Sequence, residues 1–457
     1  MPRIGVIADD LTGSNATGVL LTGHGLRVVT LTELAGGSMD LDQFDAAVVN
    51  TDSRSIPPRE AYKRVKEAGE LLKGHGVELF GKRIDSTIRG NLGAETDAVL
   101  DLLGEEALAV VTPAYPASGR VVAGGYLLVN GVPVQKTGAG TDPRTPVRQA
   151  SIQRVLAIQS SRRMKLLDID TVLQGKDAVA AELAACHREG ARMVVADALT
   201  DEDIEAVAAG MLSVASAIGI PVVAVDAGPL IGALGGLYAG KGVAKPTKRI
   251  AKQTKRAGGY EARILAVCGS VTELTRQQLA EAEKAVGAYF VDVDVWALVE
   301  GGAVLARERE RVVKALQDGL AAHDLLGLRT TRQARDVEEI ASRAKQAGLS
   351  QNELAQRIAR GLGLLAGAFL ESRTEKVSGL FLTGGDVTVE VLRALGSHGL
   401  EMRDQVAPLV AYGTIFDGPY PGLPVVTKGG MVGDRTTTVE AVRYLQKRAL
   451  HLQKQVS

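Results

Sequence analysis

The fold is indicated first by residues 4–13, IGVIADDLTG, in which a short apolar run ends at two acidic residues. The run Ile4–Ala8 predicts a β-strand, because it is rich in isoleucine and valine and is bounded by turn residues. Asp9 and Asp10 open a polar segment that leads into a longer helical pattern. A strand, a polar turn and a helix in this order form the βα unit of a parallel sheet.

The same alternation continues along the chain and predicts two domains. Further strands are expected near Arg27–Leu31, Ala46–Asn50, Glu78–Lys82, Leu108–Val111, Arg192–Ala196, Pro221–Val225, Ile264–Val267, Tyr289–Val293, Asp324–Leu328, Leu380–Thr383 and Pro424–Thr427. Residues 241–261 carry seven basic residues before the first acid. This charge run is typical of a solvated linker, although a phosphate-attracting patch also fits it. We therefore expect an α/β protein with domains at 1–240 and 262–457. Each is expected to hold a mainly parallel sheet flanked by helices, with the active site in the interdomain cleft.

Charge and composition exclude several functional classes. The 53 basic and 53 acidic residues balance, so the whole molecule has no general attraction to nucleic acid or to anionic lipid. Its apolar runs are too short for a secretion signal or a membrane span. The two cysteines, Cys186 and Cys268, are too far apart for a zinc pattern. We expect a cytoplasmic protein without nucleic-acid or membrane partners, and homo-oligomerisation is left open.

Polar residues follow several strands of the first half, where open α/β sheets bind their ligands. Basic side chains suited to hold a carboxylate are Arg54, Lys82, Arg83 and Arg89. Acidic side chains suited to accept hydrogen bonds from hydroxyls are Asp9, Asp10 and Asp85. Together they favour a small polyhydroxylated acid as ligand. For single residues simpler roles stay open: Asp10 is also placed to cap the next helix, and Arg89 to pair with a surface acid.

Glycine turns follow three strands of the second half. They are Cys268-Gly269-Ser270, Gly384-Gly385-Asp386 after Thr383, and the segment after Lys428 that contains Gly430 and Gly433. Such turns present backbone N–H groups and helix N-termini to an anion such as a nucleotide phosphate, although each alone also fits plain turn geometry.

Three familiar alternatives find no support in the sequence. Gly76 to Lys82 has P-loop spacing, but a predicted strand fills it and Arg83 stands where the metal-binding hydroxyl belongs. No GxGxxG fingerprint follows the first strand, which argues against a nicotinamide cofactor. The six histidines lie away from the strand ends, so any proton acceptor is expected to be a carboxylate.

Seven ordered motifs resemble the four-carbon acid sugar kinase family over nearly the whole chain. They are residues 7–13, 82–95, 129–133, 142–146, 269–270, 382–386 and 423–428. The resemblance implies an N-terminal substrate domain, a C-terminal nucleotide domain, and ATP-dependent phosphorylation of a tetronic acid at its 4-hydroxyl. Residues 50–54 and 328–332 are most similar to the D-threonate kinase branch, with 4-phospho-D-threonate and ADP as products. D-erythronate or 3-oxo-tetronate kinases, and a non-catalytic sugar-acid receptor, are the alternatives.

The resemblance also implies roles for single residues. By motif position, the residues that resemble the family's substrate contacts are Asp10, Arg54, Lys82, Arg83, Ile84, Asp85 and Ser86. Those that resemble its nucleotide contacts are Ser270, Gly384, Gly385, Asp386 and Gly430. Asp10 and Asp85 are the candidate proton acceptors. Mg²⁺ is expected on phosphate oxygens and waters, with Asp386 as one carboxylate. Two sites depart from the family pattern: Ala16 replaces an acid, and Gly430-Met431-Val432-Gly433 replaces a Gly-Gly-Phe-Gly pattern.

Overall fold

The computed structural model describes residues 3–32, 40–142, 144–240, 262–373 and 377–456. The chain divides into two compact units, Met1–Thr247 and Lys248–Ser457. The predicted basic linker, residues 241–261, lies outside the described residues. No helix in the described ranges is long and apolar enough to cross a membrane.

The first unit is built from eleven strands and eight α-helices among its described residues. The strands are β1 Ile4–Ala8, β2 Val28–Leu31, β3 Ala46–Asn50, β4 Leu79–Arg83, β5 Leu108–Thr112, β6 Arg120–Ala123, β7 Tyr126–Val129, β8 Val132–Pro133, β9 Met164–Leu167, β10 Met193–Ala196 and β11 Val222–Asp226. The helices are α1 Leu11–Gly23, α2 Pro58–Gly74, α3 Leu92–Leu103, α4 Ile152–Gln159, α5 Ile169–Leu173, α6 Lys176–Arg188, α7 Asp201–Ile218 and α8 Pro229–Tyr238.

Eight of these strands form a wholly parallel sheet in the order β2-β3-β1-β4-β11-β5-β10-β9. The chain leaves β1 toward β2 on one side and leaves β4 toward β5 on the other, so the order reverses between β1 and β4. Ligands of open α/β sheets bind at such a switch point, outside the carboxyl ends of the strands. Here Ala8 is paired with both Asn50 and Arg83, so their strand ends are level.

Burial explains why these residues form strands and helices. The central strands β1, β3, β4, β5 and β11 are buried at every position, as expected for a sheet covered by helices on both faces. Helix α2 buries Ala61, Val65, Ala68 and Leu72, which recur with helical spacing on one face. Short β6, β7 and β8 form a separate antiparallel sheet.

The second unit contains seven strands and seven α-helices among its described residues. The strands are β12 Ile264–Cys268, β13 Tyr289–Asp292, β14 Leu325–Arg329, β15 Gly379–Thr383, β16 Gly399–Ala407, β17 Val410–Ile415 and β18 Pro424–Lys428. The helices are α9 Glu273–Val286, α10 Val295–Glu300, α11 Gly302–Gly319, α12 Ala334–Gln346, α13 Gln351–Arg373, α14 Gly385–Ala394 and α15 Thr437–Val456.

Its strands lie in the order β13-β14-β12-β15-β18-β17-β16. The first five run parallel, and the β16–β17 hairpin pairs antiparallel with β18. The order reverses between β12 and β15, which makes a second switch point. At this point the strand ends form a level row, because Cys268 is paired with Arg329 and Thr383, and Thr383 with Lys428.

The predicted α/β class with mainly parallel sheets is confirmed, and every predicted strand is present with bounds within one residue. Sequence reasoning missed strands at the sheet edges and in the hairpins, namely β6, β7, β8, β9, β16 and β17. Most of these strands are only partly buried or carry charges, as β16 does at Glu401, Arg403 and Asp404, while β17 is buried throughout but has Gly413 and Thr414 within its apolar run. Such strands lack the continuous apolar run by which central strands are identified.

Candidate functional site

A cluster of charged side chains lies at the switch point of the first unit. We call it the strand-end cluster, and its members are Asp9, Asp10, Arg54, Arg83, Asp85 and Arg89. Arg83 is the last residue of β4, and the others lie in the segments that follow β1, β3 and β4. All six were predicted from the sequence, and the structure brings them together.

Arg54 holds the cluster together through Asp9. Its Nε and Nη2 donate to the two carboxylate oxygens of Asp9 at 2.7 and 2.9 Å, a two-point arrangement that fixes both planar groups. Burial alone would raise the pKa of Asp9, but the charges of Arg54 and Arg83 outweigh it and lower that pKa. Asp9 is therefore ionised at neutral pH.

Asp10 joins the cluster to the start of α1. Its Oδ1 accepts from the backbone N–H of Gly13 at 2.8 Å, so the predicted capping role is present. The same carboxylate accepts from Arg54 at 2.9 Å and Arg83 at 3.1 Å. Its side chain is 24% exposed, against 3% for Asp9 and 5% for Asp85. Among the three carboxylates, Asp10 is thus the most accessible to a ligand.

Asp85 is the most strongly neutralised acid of the cluster. Arg89 donates to it from Nε at 2.8 Å and from Nη2 at 2.9 Å, and its Nη1 reaches Asp142 at 2.9 Å. Burial would raise the pKa of Asp85, yet the charges of Arg89 and Arg54 hold it well below the usual range. The charge of Asp85 in turn raises the pKa of Arg89. Arg89 therefore pairs with a buried acid of the cluster.

A glycine makes room for Arg83 beside α1. A Cβ atom added to Gly13 would lie 2.0 Å from the Arg83 guanidinium, so any side chain there would displace this group. Arg83 donates from Nη1 to Asp9 and Asp10, both at 3.1 Å. Its Nε is buried and has no hydrogen-bond partner among the described residues. Arg83 thus keeps donor capacity that the cluster does not use.

Lys82 lies beneath the cluster and has its own counter-charge. It is fully buried, and its ammonium lies 2.6 Å from the Glu95 carboxylate, which is fully buried too. The ammonium also donates to the carbonyl of Arg83 at 2.6 Å. Burial raises the pKa of Glu95, while the charge of Lys82 opposes that shift. The predicted contact between Lys82 and a substrate carboxylate stays a prediction.

The two other predicted substrate contacts are buried beside Asp85. Ile84 donates its backbone N–H to the carbonyl of Asp226 at 2.8 Å, which ties this segment to β11. Ser86 is 6% exposed. An open cavity of about 400 Å³ adjoins the cluster, with Arg54, Gly90 and Asn91 in its wall. This volume lies within the range of small-molecule sites.

In the second unit, three hydroxyl side chains connect two of the glycine turns. Thr272 caps α9 and donates to the carbonyl of Gly430 at 2.7 Å, and Thr275 donates to the same carbonyl at 3.0 Å. The hydroxyl oxygens of Ser270 and Thr275 lie 3.0 Å apart. A Cβ atom on Gly430 would lie 2.3 Å from the Ser270 hydroxyl oxygen, so the two turns touch. The structure therefore brings Ser270 and Gly430 together.

The third turn begins α14. Gly384 has a φ of 104°, which glycine adopts without strain, and its N–H donates to the carbonyl of Lys428 at 2.9 Å. Because Gly384 is the N-cap, no side chain caps the first N–H groups of α14, which starts at Gly385. Asp386 is exposed in this first turn, and Thr383 is fully buried at the end of β15.

The remaining predicted residue, Gly433, lies in the loop before α15. Gln278 of α9 holds this loop by donating to the carbonyls of Val432 at 3.1 Å and Asp434 at 2.6 Å. Gly433 has a φ of 81°. The loop that carries Gly430 and Gly433 is therefore fixed against the start of α9.

Sequence reasoning did not select several buried polar residues of this rim. Lys428 is 1% exposed, and its ammonium donates to the carbonyl of Gly429 at 2.9 Å. The hydroxyl groups of Thr330, Thr331 and Thr383 are buried without a hydrogen-bond partner in the described ranges. Only Thr383 had been predicted. Lys428, Thr330 and Thr331 could have been selected from the sequence because they lie directly at or after the end of a predicted strand.

Two further observations concern the metal and the departures from the family pattern. No group of three or more metal-ligating side chains occurs within the described parts of the chain. Ala16 is fully buried in α1, whereas Met431 is 57% exposed beside Gly430. A substitution at position 16 therefore affects packing inside the unit, and a substitution at position 431 affects the accessible surface.

Two family models match successive parts of the chain. Residues 4–234 match the sugar-binding N-terminal domain family, and residues 265–438 match the nucleotide-binding C-terminal domain family. The chain is 43% identical to the D-erythronate kinase of Heliobacterium modesticaldum, over 97% of both chains. It is 33% identical to the D-threonate kinase of Salmonella typhimurium, over 97% of this chain and 98% of that one. The chain belongs to the four-carbon acid sugar kinase family and is a sugar-acid kinase.

Solved structures share the fold. A Salmonella typhimurium protein described as a putative tRNA synthase superposes with a TM-score of 0.76 at 25% identity, over 97% of this chain and all of that one. Haemophilus influenzae protein HI1011 superposes with a TM-score of 0.69 at 23% identity, over 96% of this chain and all of that one. These two structures support the predicted fold class. The predicted family and enzyme class are confirmed by the family models and the curated relatives.

The Lys82–Glu95 pair yields a stability prediction. Lys82→Met should lower the free energy of unfolding by about 3–5 kcal/mol, because it leaves the Glu95 carboxylate buried without its partner. Lys82→Met combined with Glu95→Leu should recover most of that loss. Urea unfolding of the three proteins measures both effects. A Lys82→Met protein as stable as the unaltered one would show that the pair does not neutralise itself in the folded state.

Proposed function

We propose that the protein transfers the terminal phosphoryl group of ATP to the 4-hydroxyl of a four-carbon sugar acid. The 4-oxygen forms a bond to the terminal phosphorus, and the bond from that phosphorus to the ADP oxygen breaks with its electron pair. The hydroxyl proton passes to a protein carboxylate. The strand-end cluster carries this proposal, because it combines guanidinium groups for a carboxylate with acidic groups for hydroxyls at a switch point.

Arg83 is the guanidinium best suited to the carboxylate of the acid. Arg54 and Arg89 each use Nε and both terminal nitrogens on aspartates of the protein. Arg83 is held through Nη1 alone and has an unused Nε. A bound carboxylate would supply the missing acceptor, and charge-assisted hydrogen bonds of this kind are the strong ones.

Asp10 is the carboxylate best suited to accept the hydroxyl proton. Its side chain is 24% exposed, against 5% for Asp85, so a substrate hydroxyl reaches Asp10 more readily. The pKa of Asp85 lies well below the usual range, which makes this group a poor proton acceptor at neutral pH. The two candidates taken from the sequence are thus unequal in their surroundings.

The second unit is proposed to bind ATP with Mg²⁺. The contacts predicted for the nucleotide are Ser270, Thr383, Gly384, Gly385, Asp386, Gly430 and Gly433. Support comes from the uncapped start of α14 and the adjoining glycine turns, which offer N–H groups to phosphate oxygens. Mg²⁺ commonly keeps one or two carboxylates together with phosphates and waters, and the exposed Asp386 fits such a role.

Three kinds of four-carbon acid are candidates for the preferred substrate. The motif resemblance predicts D-threonate, and a D-threonate kinase is among the relatives at 33% identity. The relative at 43% identity is a D-erythronate kinase, which favours D-erythronate. A 3-oxo-tetronate kinase from Brucella melitensis is 29% identical over 96% of this chain.

Release of ADP from Mg-ATP, measured separately with each acid, tests the proposal. The panel is D-threonate, D-erythronate, their L-isomers and 3-oxo-tetronates, with a control that lacks acid. Turnover should be strong with one acid and close to the control with the others. Absence of turnover across the panel, with no ATP binding by calorimetry, would contradict the proposed function.

Asp10→Asn tests the proton acceptor without removing the helix cap. Asparagine caps helices as well as aspartate does, so the fold should survive. We expect kcat to fall on the order of 10²–10⁴-fold, the usual contribution of general base catalysis, with little change in ATP affinity. The matched control is Asp168→Asn, which changes an exposed N-cap aspartate of α5 and should leave kcat unchanged. Unchanged kcat in Asp10→Asn would exclude Asp10 as the acceptor.

Gly13→Ala tests the position of Arg83. The added Cβ would collide with the guanidinium, and the resulting displacement should weaken binding of the acid about tenfold or more while ATP affinity is kept. Gly23→Ala is the matched control, since it lies in the same helix with no atom within 4 Å of the added Cβ. Calorimetric titration with the acid and with ATP compares both variants. Equal acid affinities in the two variants would refute the assigned role of Arg83.

A further inference from the structure

Two lysines are buried at strand ends, and only one has a counter-charge. Lys82 near the end of β4 pairs with Glu95 at 2.6 Å. Lys428 at the end of β18 is equally buried, yet no carboxylate of the described residues lies within ion-pair distance of it. Both ammonium groups donate to the carbonyl of the following residue. The two lysines thus have similar local geometry, but only Lys82 has a carboxylate beside its ammonium.

A buried ammonium without an anion is energetically costly. Taking such an ion out of water costs several kcal/mol even after the surroundings relax. Burial accordingly lowers the pKa of Lys428 to about 8. Only one of its three N–H donors has an acceptor in the described structure, the carbonyl of Gly429. The Lys428 ammonium therefore has an unbalanced charge and two N–H donors without acceptors among the described residues.

The row of strand ends that contains Lys428 has further buried polar groups without partners. The strand ends beside it form the level row Arg329, Cys268, Thr383 and Lys428. Aligned residues of parallel strands point to the same face, so these side chains share one surface. The hydroxyl of Thr383 is buried without a partner, as are those of Thr330 and Thr331 directly after Arg329.

The other cation of the row is already neutralised. Arg329 donates to Asp292 at 2.5 Å and to Glu283 at 2.8 Å. Cys268 stays a thiol, because burial raises its pKa to about 12. Within this row, Lys428 is the cation whose charge is not balanced by a described side chain.

The place of Lys428 identifies the class of the missing anion. Gly384 donates its N–H to the Lys428 carbonyl, so the lysine adjoins the uncapped start of α14. Gly430, two residues further on, contacts Ser270. A switch point, a helix N-terminus and a hydroxyl group beside a buried cation are features of phosphate sites.

We infer that Lys428 binds the phosphate chain of the nucleotide and neutralises its charge, with Thr383 as a hydrogen-bond donor beside it. This inference rests on the proposed function and adds to it a residue that carries positive charge. Release of the Gly429 carbonyl lets the flexible side chain reach the anion. The lysine then makes the charge-assisted hydrogen bonds that it lacks in the free protein.

Calorimetric titration of Lys428→Met with ATP, ADP and adenosine tests the inference. Loss of a hydrogen bond to a charged group should weaken ATP and ADP on the order of tenfold to a hundredfold, with adenosine affinity unchanged. Lys284→Met, an exposed site on α9, is the matched control and should bind all three as the unaltered protein does. Lys428→Gln keeps a donor for the Gly429 carbonyl and replaces Lys428→Met if the latter does not fold.

The outcomes separate the inference from the proposed function. ATP and ADP affinities that are unchanged in a folded Lys428 variant would overturn the role of Lys428 and leave the kinase proposal intact. An equal loss for adenosine would also overturn it, since the defect would then not depend on phosphate. Failure of the unaltered protein to bind ATP would overturn both.

Discussion

The hydrogen bonds between Arg54 and the two aspartates after β1 are the interaction on which the first unit's site depends. Asp9 is almost fully buried at the end of the central strand, where an unpaired carboxylate would be strongly destabilising. Arg54 neutralises it at two points and reaches Asp10 with its third nitrogen, so the segment after β3 is fixed against the segment after β1. Because Asp10 also caps α1, the same contacts set the start of that helix. The order of the strands thus determines which charged side chains lie close together. The ion pairs between these side chains then hold the segments after β1 and β3 in place.

The two units differ in how their buried charged groups are paired. In the first unit each acid of the strand-end cluster meets an arginine, and the lysine below it meets Glu95. Such a cluster has its charges paired without a ligand, and an acid bound there would exchange some of these hydrogen bonds. In the second unit Lys428 and three threonine hydroxyls are buried without comparable partners. An anion bound at the strand ends of the second unit would therefore contribute more than one bound in the first unit, since it would satisfy groups that the described residues leave without partners.

The sequence predicted the central strands, because their apolar runs are short, continuous and followed by polar turns. It therefore also predicted which residues gather at the first switch point, since the carboxyl ends of parallel strands share one edge. It did not predict that Arg89 pairs with Asp85 or that Lys82 pairs with Glu95, because such pairs depend on side-chain directions that spacing does not contain. Lys428 was passed over for the same reason: a lysine before two glycines is ordinary in sequence, and only its burial without a carboxylate makes it unusual. The edge strands were missed because their faces are mixed, as β16 is.

The many glycines of the chain serve two different physical purposes in the two sites. At Gly384 the backbone has a positive φ, so the residue is needed for its conformational freedom. Gly13 and Gly430 have no such φ, yet a Cβ at these positions would lie 2.0 Å from Arg83 and 2.3 Å from Ser270. What matters at these two is the absent side chain, which allows a polar group of another element to approach the backbone. A glycine-rich composition therefore reflects close packing of polar groups against the backbone as much as tight turns, and only the structure separates the two causes.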